Sequence, residues 1–556
     1  MRRPTILAIS TIGLLLCVAV GSAEAQRELE LGTIEFPTSA SSPGAQELFI
    51  HGTALMHSFM WEDAAELFQE AQRLEPDFAM AYWGEAMSHS TGHHFPAGQD
   101  LPAARQVLER LGSTRAERAA KMPTEREKAY LNAVEVLYGA GDAQERALAY
   151  SAAMGQIYSD YPDDLEAAAF YALSLMRTVT RGEDSIRQDM KAGSIAQAVF
   201  RENPDHPGAA HYVIHAFDDP VHASIGLYAA LKYADIAPAA VHALHMPSHL
   251  FVQRGMWDHL AKSNEASWAA SVDRAKRKGL PPTSYSFHAL YWLQYAYLEQ
   301  GRYDKAEECL DEIRAVTALP DVPPAIAARQ AVMEARQTIH TRQWRIPPDL
   351  SQLVERIVDD PSEVRSHAAG AVLLAAGVSA ARLGDLAAAD LAVQGAREMH
   401  SYLDAMGSES SSTKQAAVAL KEIEAMAQLA KGQADAAVRL LEEATAIEET
   451  MVPPSGPPGE GVTDGPIKPS HELFGEVLLE LDRPAEAAEQ FAEALLRMPH
   501  RPQSLLGSAR AAGKSGDAQT ARAHYEELVQ LWKGSAEQTS VEEAQRFLQQ
   551  TEEQEP

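Results

Sequence analysis

Cysteine is nearly absent. The 556 residues hold two, Cys17 and Cys309, which rules out a disulfide framework and any thiolate-rich metal site. Basic residues are also in deficit. Lys and Arg number 48 against 78 Asp and Glu, a formal charge of -30. Nucleic-acid phosphates would be repelled by that balance. It suits a well-solvated surface, or a protein that attracts cations. β-Branched runs are few while Ala, Leu, Glu, Gln and Arg abound, which favours helix throughout. The one long apolar run, Ile6 to Val20, is too short and poorly flanked for a stable membrane span. It follows Arg2 and Arg3 and precedes Ala23-Glu24-Ala25, so residues 1–25 read as a signal peptide cleaved before Gln26. A periplasmic or secreted protein is expected. Leu16 is too large for the residue before a lipoprotein cysteine, so Cys17 is discounted, and the mature chain keeps one cysteine. No HExxH, GxSxG or P-loop motif names a reaction.

Histidine and a repeat are what the chain does have. Between Asn203 and Trp257 lie His206, His211, His215, His222, His242, His245 and His249. His211-x3-His215 recurs 34 residues later as His245-x3-His249. Thirty-four is the length of a tetratricopeptide (TPR) helix–turn–helix repeat. From Ala45 the pattern of small and apolar positions falls on Gly52, Ala64, Phe68, Ala71 and Pro76. Further copies start near Ala79, Pro207, Val241, Phe287, Gly370, Val418, Lys468 and Pro502. A chain this long exceeds a single core, and stacked repeats bury their faces against neighbours instead. The expected organisation is a loose lead-in at 26–44, an array at 45–315, an irregular helical segment at 316–369 and repeats at 370–450. A Pro/Gly-rich loop at 451–469, repeats at 470–535 and a fraying polar tail at 536–556 complete it. Such long loops are usually functional or disordered. The resemblance to TPR proteins implies an all-α solenoid, a right-handed superhelix whose first helices line a concave groove.

The register gives the histidines a direction. Core positions 4, 7, 8 and 11 of the first helix share one face, and positions 2, 5, 9, 12 and 13 lie on the opposite arc at ~100° per residue. His211 and His215 fall at 5 and 9 of one repeat, with Asp218 and Asp219 at 12 and 13. His242, His245 and His249 fall at 2, 5 and 9 of the next, and His288 at 2 of the repeat from Phe287. Histidines at i and i+4 can share a metal ion, and helices about 8–10 Å apart can bring two pairs together. A thiolate-free histidine set suits Zn, Cu, Fe or Ni. Asp218, Asp219 and Glu166 could complete the shell or orient a histidine from behind.

Plainer readings stand beside this one. A single HxxxH pair is usually a surface or hydrogen-bonded feature. Two pairs in one register, with His242 and His288 on the same arc, are harder to dismiss, since the surrounding residues differ too much for simple duplication. An anion-binding cluster and structural hydrogen bonding are the alternatives. His206, before Pro207, suits a cap. His222 suits a second shell or a cap. His93 and His94 sit in a loop that either covers the groove or fills a turn. His51 and His57 read as ordinary helix residues. Glu472 and Glu476, at positions 5 and 9 of their repeat, read first as a solvated face and second as groove residues.

The segments PDHPGAAHYVIHAFDDP, HALHMPSHLFVQRGMWD, WEDAAELFQEAQRLEPDFAMAYWGEAM and IKPSHELFGEVLLELDRPAEAAEQF resemble a group of bacterial exported TPR proteins. HPGxxHYxIHAxD and HxxHMPSHIF are signature segments of that group, and the resemblance spans nearly the whole mature chain. It implies that His206, His211, His215, His242, His245 and His249 occupy signature positions. Members are mostly of unknown role, so it implies the fold and no reaction. Two functions follow as expectations. One is a metal centre in the groove, suited to metal-assisted hydrolysis or to copper or iron oxidation. The other is a metal-free scaffold for a protein, peptide or small molecule, with Trp83, Tyr291 and Tyr295 as contact residues.

Overall fold

The computed structural model describes residues 30–89, 100–176, 178, 183–364, 366–459 and 466–552. The expected signal peptide, His93 and His94 lie outside them. Among the described residues there are helices and turns and no strand. The architecture is an all-α, TPR-type solenoid of antiparallel helix pairs.

The repeat's small residue has a physical cause. A Cβ on Gly52 would meet the Phe68 ring at 2.9 Å, and one on Gly84 would meet it at 2.4 Å. Phe68 is wholly buried between them. Near the other end Phe491 sits in the same way against Gly475 and Gly507, at 2.8 and 2.1 Å. Each phenylalanine of a second helix thus fills the space left by glycines on two successive first helices. Burying such a ring contributes roughly 2–3 kcal/mol.

The helices group into two compact units. The first comprises Met1–Thr178, Val199–Gly208 and Asp235–Ala240. Its lead-in is anchored rather than loose. Thr33 donates its amide to the Asp205 carbonyl at 2.9 Å, and Ala239 donates to that of Glu30 at 3.2 Å. Phe36 is fully buried and packs on Phe49, Trp83 and Tyr130 with centroids 5.0–5.7 Å apart.

The second unit comprises Val179–Ala198, Ala209–Ala234 and Val241–Pro556. Helices Pro324–Thr341 and Leu350–Asp359 lie in the stretch 316–369, expected to be helical but irregular. The expected fraying tail instead carries helix Gln538–Glu552, whose Phe547 lies 5.1 Å from the Tyr525 ring. Its apolar stripe, Val541, Ala544, Phe547 and Leu548, packs on the preceding pair and caps the array.

Candidate metal centre

Helix Pro207–Ala216 carries His211 and His215, and their rings are 4.7 Å apart. The next first helix breaks in the middle. Val241–His245 ends before Met246-Pro247, and Ser248–Gln253 resumes. Pro247 lacks an amide proton and interrupts the ladder, yet it keeps right-handed helical angles, φ -54° and ψ -27°. His245 and His249 therefore still face together, rings 5.3 Å apart. Ser286 caps helix Phe287–Glu299 and fixes its first turn, where His288 sits.

These helices assemble two adjoining triads. His211, His215 and His242 form one, and His245, His249 and His288 the other, with ligand nitrogens within 4.8 Å of one another in each. Nε2 of His242 lies 3.2 Å from Nε2 of His211. Nitrogens on a tetrahedral metal at about 2.0–2.1 Å would be separated by about 3.3 Å. The triads adjoin through His215–His249 and His242–His245, with centroids 6.0 and 6.1 Å apart.

Outer partners set the tautomers. Asn264 donates its amide nitrogen to Ser248 Oγ and the Leu260 carbonyl, at 2.7 and 2.9 Å. Its carbonyl oxygen is thereby oriented to accept from His245 Nδ1 at 2.7 Å. With the proton on Nδ1, the Nε2 lone pair of His245 becomes the ligand atom. Asp218 does the same for His249, its carboxylate 2.7 Å from Nδ1. Burial pushes the Asp218 carboxyl up, against the pull of His249.

One side of the second triad is walled. The Trp292 indole lies 4.6 Å from the His249 ring and 5.0 Å from His245. The described part of the Pro/Gly loop covers this indole in turn, because a Cβ on Gly456 would lie 2.7 Å from Trp292 Cζ2. Gln253 donates to the Pro454 carbonyl at 3.0 Å and Tyr291 to that of Pro458 at 3.1 Å. Three tethers thus seat residues 454–458 beside the centre.

Glu166 and His206 belong to the first unit, where they meet His57. The Glu166 carboxylate accepts from His57 Nε2 at 2.6 Å and from His206 Nε2 at 3.1 Å, and all three side chains are fully buried. Asp164 caps helix Leu165–Leu175 and places Glu166 in its first turn, where the helix dipole favours a negative charge. Burial raises the Glu166 carboxyl, but the two histidines outweigh it and bring it down to about 2. Burial lowers His57 more strongly than Glu166 raises it. Both imidazoles reach the one carboxylate, and a 2.6 Å contact to an ionised acceptor is a charge-assisted hydrogen bond.

Several expectations change. Asp219 accepts from the amides of Val221 and His222 and pairs with His222 Nδ1 at 2.7 Å, so these two residues close a turn and join neither triad. Trp83, Tyr291 and Tyr295 are core residues, at most 1% exposed. Trp83 packs among Phe36, Phe49, Tyr130 and Phe170. Arg336 stacks 3.9 Å over Tyr291, and Tyr295 accepts from Arg501 at 3.0 Å. Glu472 is fully buried between Arg501 and Lys468 rather than solvated. Glu476 is part-exposed and pairs with Lys468 and Arg342. His57, Asn264 and Trp292 went unrecognised in the sequence. His57 alone carried a signal, since it falls at position 13 of its repeat, on the same arc as the others.

Among the described residues no helix is long and apolar enough to cross a membrane. No protein-family model and no curated protein matches the chain. Among solved structures it is similar to the P58(IPK) TPR domain, at 13% identity over 91% of this chain and 99% of that one, with a TM-score of 0.22. Yeast Tom70 is similar at 12% over 91% and 96%, with a TM-score of 0.26. A monomeric IFIT1 mutant with Gppp-AAAA is similar at 12% over 88% and 90%, with a TM-score of 0.34. At these scores the likenesses carry no statement about function, and the fold rests on the helix order given above.

Proposed function

We propose that the six histidines hold two transition-metal ions side by side, one per triad, in a protein exported from the cytoplasm. The carrying observation is the pair of adjoining three-imidazole sets, each with its nitrogens within 4.8 Å of one another. The donors are neutral and thiolate-free, which suits Cu, Zn, Fe or Ni. An ion held by three protein ligands keeps an open position, and would supply Lewis-acid activation for hydrolysis or, with copper or iron, oxidation.

The chain's own residues have definite parts in this reading. His211, His215 and His242 bind one ion, and His245, His249 and His288 the other. Asn264 and Asp218 hold the Nδ1 protons of His245 and His249. Trp292, backed by residues 454–458, excludes water from one side of the second triad.

Elemental analysis of the purified chain, dialysed against Cu, Zn, Fe or Ni in turn, tests this. Two equivalents of one metal are expected. The His211→Ala/His245→Ala double variant should retain fewer than half of them. No retained metal, or the same stoichiometry in the variant, overturns the proposal. Capture of a peptide that survives both substitutions would favour the metal-free scaffold instead.

A further inference from the structure

The second unit contains a cavity of about 800 Å³ away from the residues of the triads. Helices Ser470–Glu480, Pro502–Ser515, Ala518–Leu531 and Gln538–Glu552 supply most of its wall, with Ile339, Arg342, Trp344, Val378, Arg382 and Lys468 completing it. Its volume falls in the range of small-molecule sites, roughly 300–1,000 Å³.

The lining chemistry departs from that of the chain. Acidic residues outnumber basic ones 78 to 48 over the whole sequence. Here five cations, Arg342, Arg382, Lys468, Arg510 and Lys514, share the wall with three carboxylates, Glu476, Glu480 and Glu543, while Glu472 and Asp482, just outside the lining, pair with Lys468 and Lys514. Three of the cations converge. Glu476 and Glu480 lie one helical turn apart. Arg342 and Lys468 pair with Glu476 at 3.2 and 2.9 Å, and Arg382 pairs with Glu480 at 2.7 Å. Lys468 is nine-tenths buried and also bonds Glu472 at 2.8 Å. The ion pairs hold the guanidiniums in place at the cavity wall, where each presents more N–H donors than one carboxylate can take.

The rest of the wall is apolar, with Leu473, Leu479, Leu506, Trp344 and Phe547 prominent. Neutral partners for a peptide backbone are scarce. Gln503 is the one side-chain amide in the lining, and it already accepts from Arg342 at 3.0 Å. The Tyr525 hydroxyl donates to Glu543 at 2.8 Å. A peptide lying here could pair its backbone only with charged side chains already engaged with one another, and along the apolar wall its amides would go unpaired, at a cost of about 1–3 kcal/mol each. A ligand with an apolar body and one anionic end would not.

We propose that this cavity binds an amphiphilic organic anion of small-molecule size, its carboxylate at Arg342 and Arg382 and its apolar body along Leu479, Leu506 and Phe547. The site is independent of the metal centre.

Isothermal titration of the full chain with dodecanoate, and separately with dodecanol, tests it. Saturable one-to-one binding of dodecanoate is expected, with dodecanol at least tenfold weaker. Arg342→Gln/Arg382→Gln should weaken dodecanoate at least tenfold. A second variant guards against misfolding. Gly513 is an exposed helical residue on the wall, and a Cβ there would lie 3.5 Å from the Phe547 ring, an ordinary contact. Gly513→Leu should obstruct the apolar wall beside Phe547 while improving helix propensity, and should weaken dodecanoate at least tenfold with the thermal midpoint retained. No saturable binding to the wild type overturns the proposal. So does equal affinity for dodecanol, or unchanged dodecanoate affinity in either variant.

Discussion

At the scale of residues, the two histidine clusters differ in how their protons are held, and that difference makes them testable apart. Glu166 sits at about 2 against a usual 4.5. Its folded-state value is the lower one, so its contribution is complete above pH 4.5 and disappears as pH falls toward 2. The shift corresponds to on the order of 3 kcal/mol. His57 is also depressed, from 6.5, so the unfolded chain takes up its proton first and acid weakens the cluster from about pH 6.5 downward. Glu166→Gln should therefore speed hydrogen exchange across Leu165–Leu175 at pH 7, by one to two orders of magnitude, and flatten its dependence below pH 4.5. Exchange mass spectrometry reads both, and an unchanged acid limb would remove Glu166 from this role. Asn264→Ala acts on the other cluster. Losing the acceptor frees the His245 tautomer, and outer-shell substitutions of this kind lower metal affinity about 10–100-fold. Competition with a calibrated chelator measures this, with the loss expected at one ion of the two. The register exposed the direction of His211, His215, His242, His245, His249 and His288, because position within a 34-residue repeat fixes which arc of a helix a residue occupies. It would have exposed His57 as well, at position 13. Asn264 lies on a second helix, and its role depends on Ser248 and His245 of the preceding first helix, which no spacing rule links to it.

At the scale of elements, the Pro/Gly loop is the least regular segment near the centre and one of the better tethered. Its composition marked it as functional or disordered, and residues 454–458 are fixed by Gln253, Tyr291 and Trp292. The contact at Gly456 tolerates no side chain without movement. Gly456→Val would press on the indole, which must shift or push the loop away, at a cost of about 1–3 kcal/mol. The expected result is a changed near-ultraviolet circular dichroism spectrum with the far-ultraviolet helix signal intact, together with weaker binding of the ion at His245, His249 and His288. Unaltered aromatic ellipticity would mean that the loop does not bear on Trp292. None of this was legible beforehand, because the loop's partners lie more than 150 residues away and repeat periodicity predicts contacts only between neighbours.

At the scale of the whole molecule, the same blindness to distant contacts explains what the sequence concealed about the second unit. Arg501 directly precedes the copy that starts at Pro502, yet it reaches helix Phe287–Glu299. Its guanidinium bonds Glu299 at 2.5 Å and Glu472 at 2.7 Å, and all three are at most 1% exposed. His340 approaches Glu299 at 3.1 Å. Trp532 donates to the Glu299 carbonyl at 2.8 Å, and Trp257 to that of His500 at 3.2 Å. The C-terminal repeats are thus packed onto the helix that carries His288 and Trp292. Arg501 holds both carboxylates below the usual range despite their burial, so this tie is complete at neutral pH and lost on acidification below about 4.5. Removing the cation alone leaves two buried carboxylates, with His340 as the remaining basic partner of Glu299 and Lys468 as that of Glu472. Arg501→Met should cost about 3–5 kcal/mol, read as an earlier urea midpoint and faster hydrogen exchange in Phe287–Glu299. Replacing the whole set, as Arg501→Met with Glu299→Gln and Glu472→Gln, should recover most of that loss, because both buried carboxylates are then neutral and Lys468 keeps its pairing with Glu476. If the triple variant is no more stable than the single one, the packing of the arginine rather than its charge holds the C-terminal repeats in place.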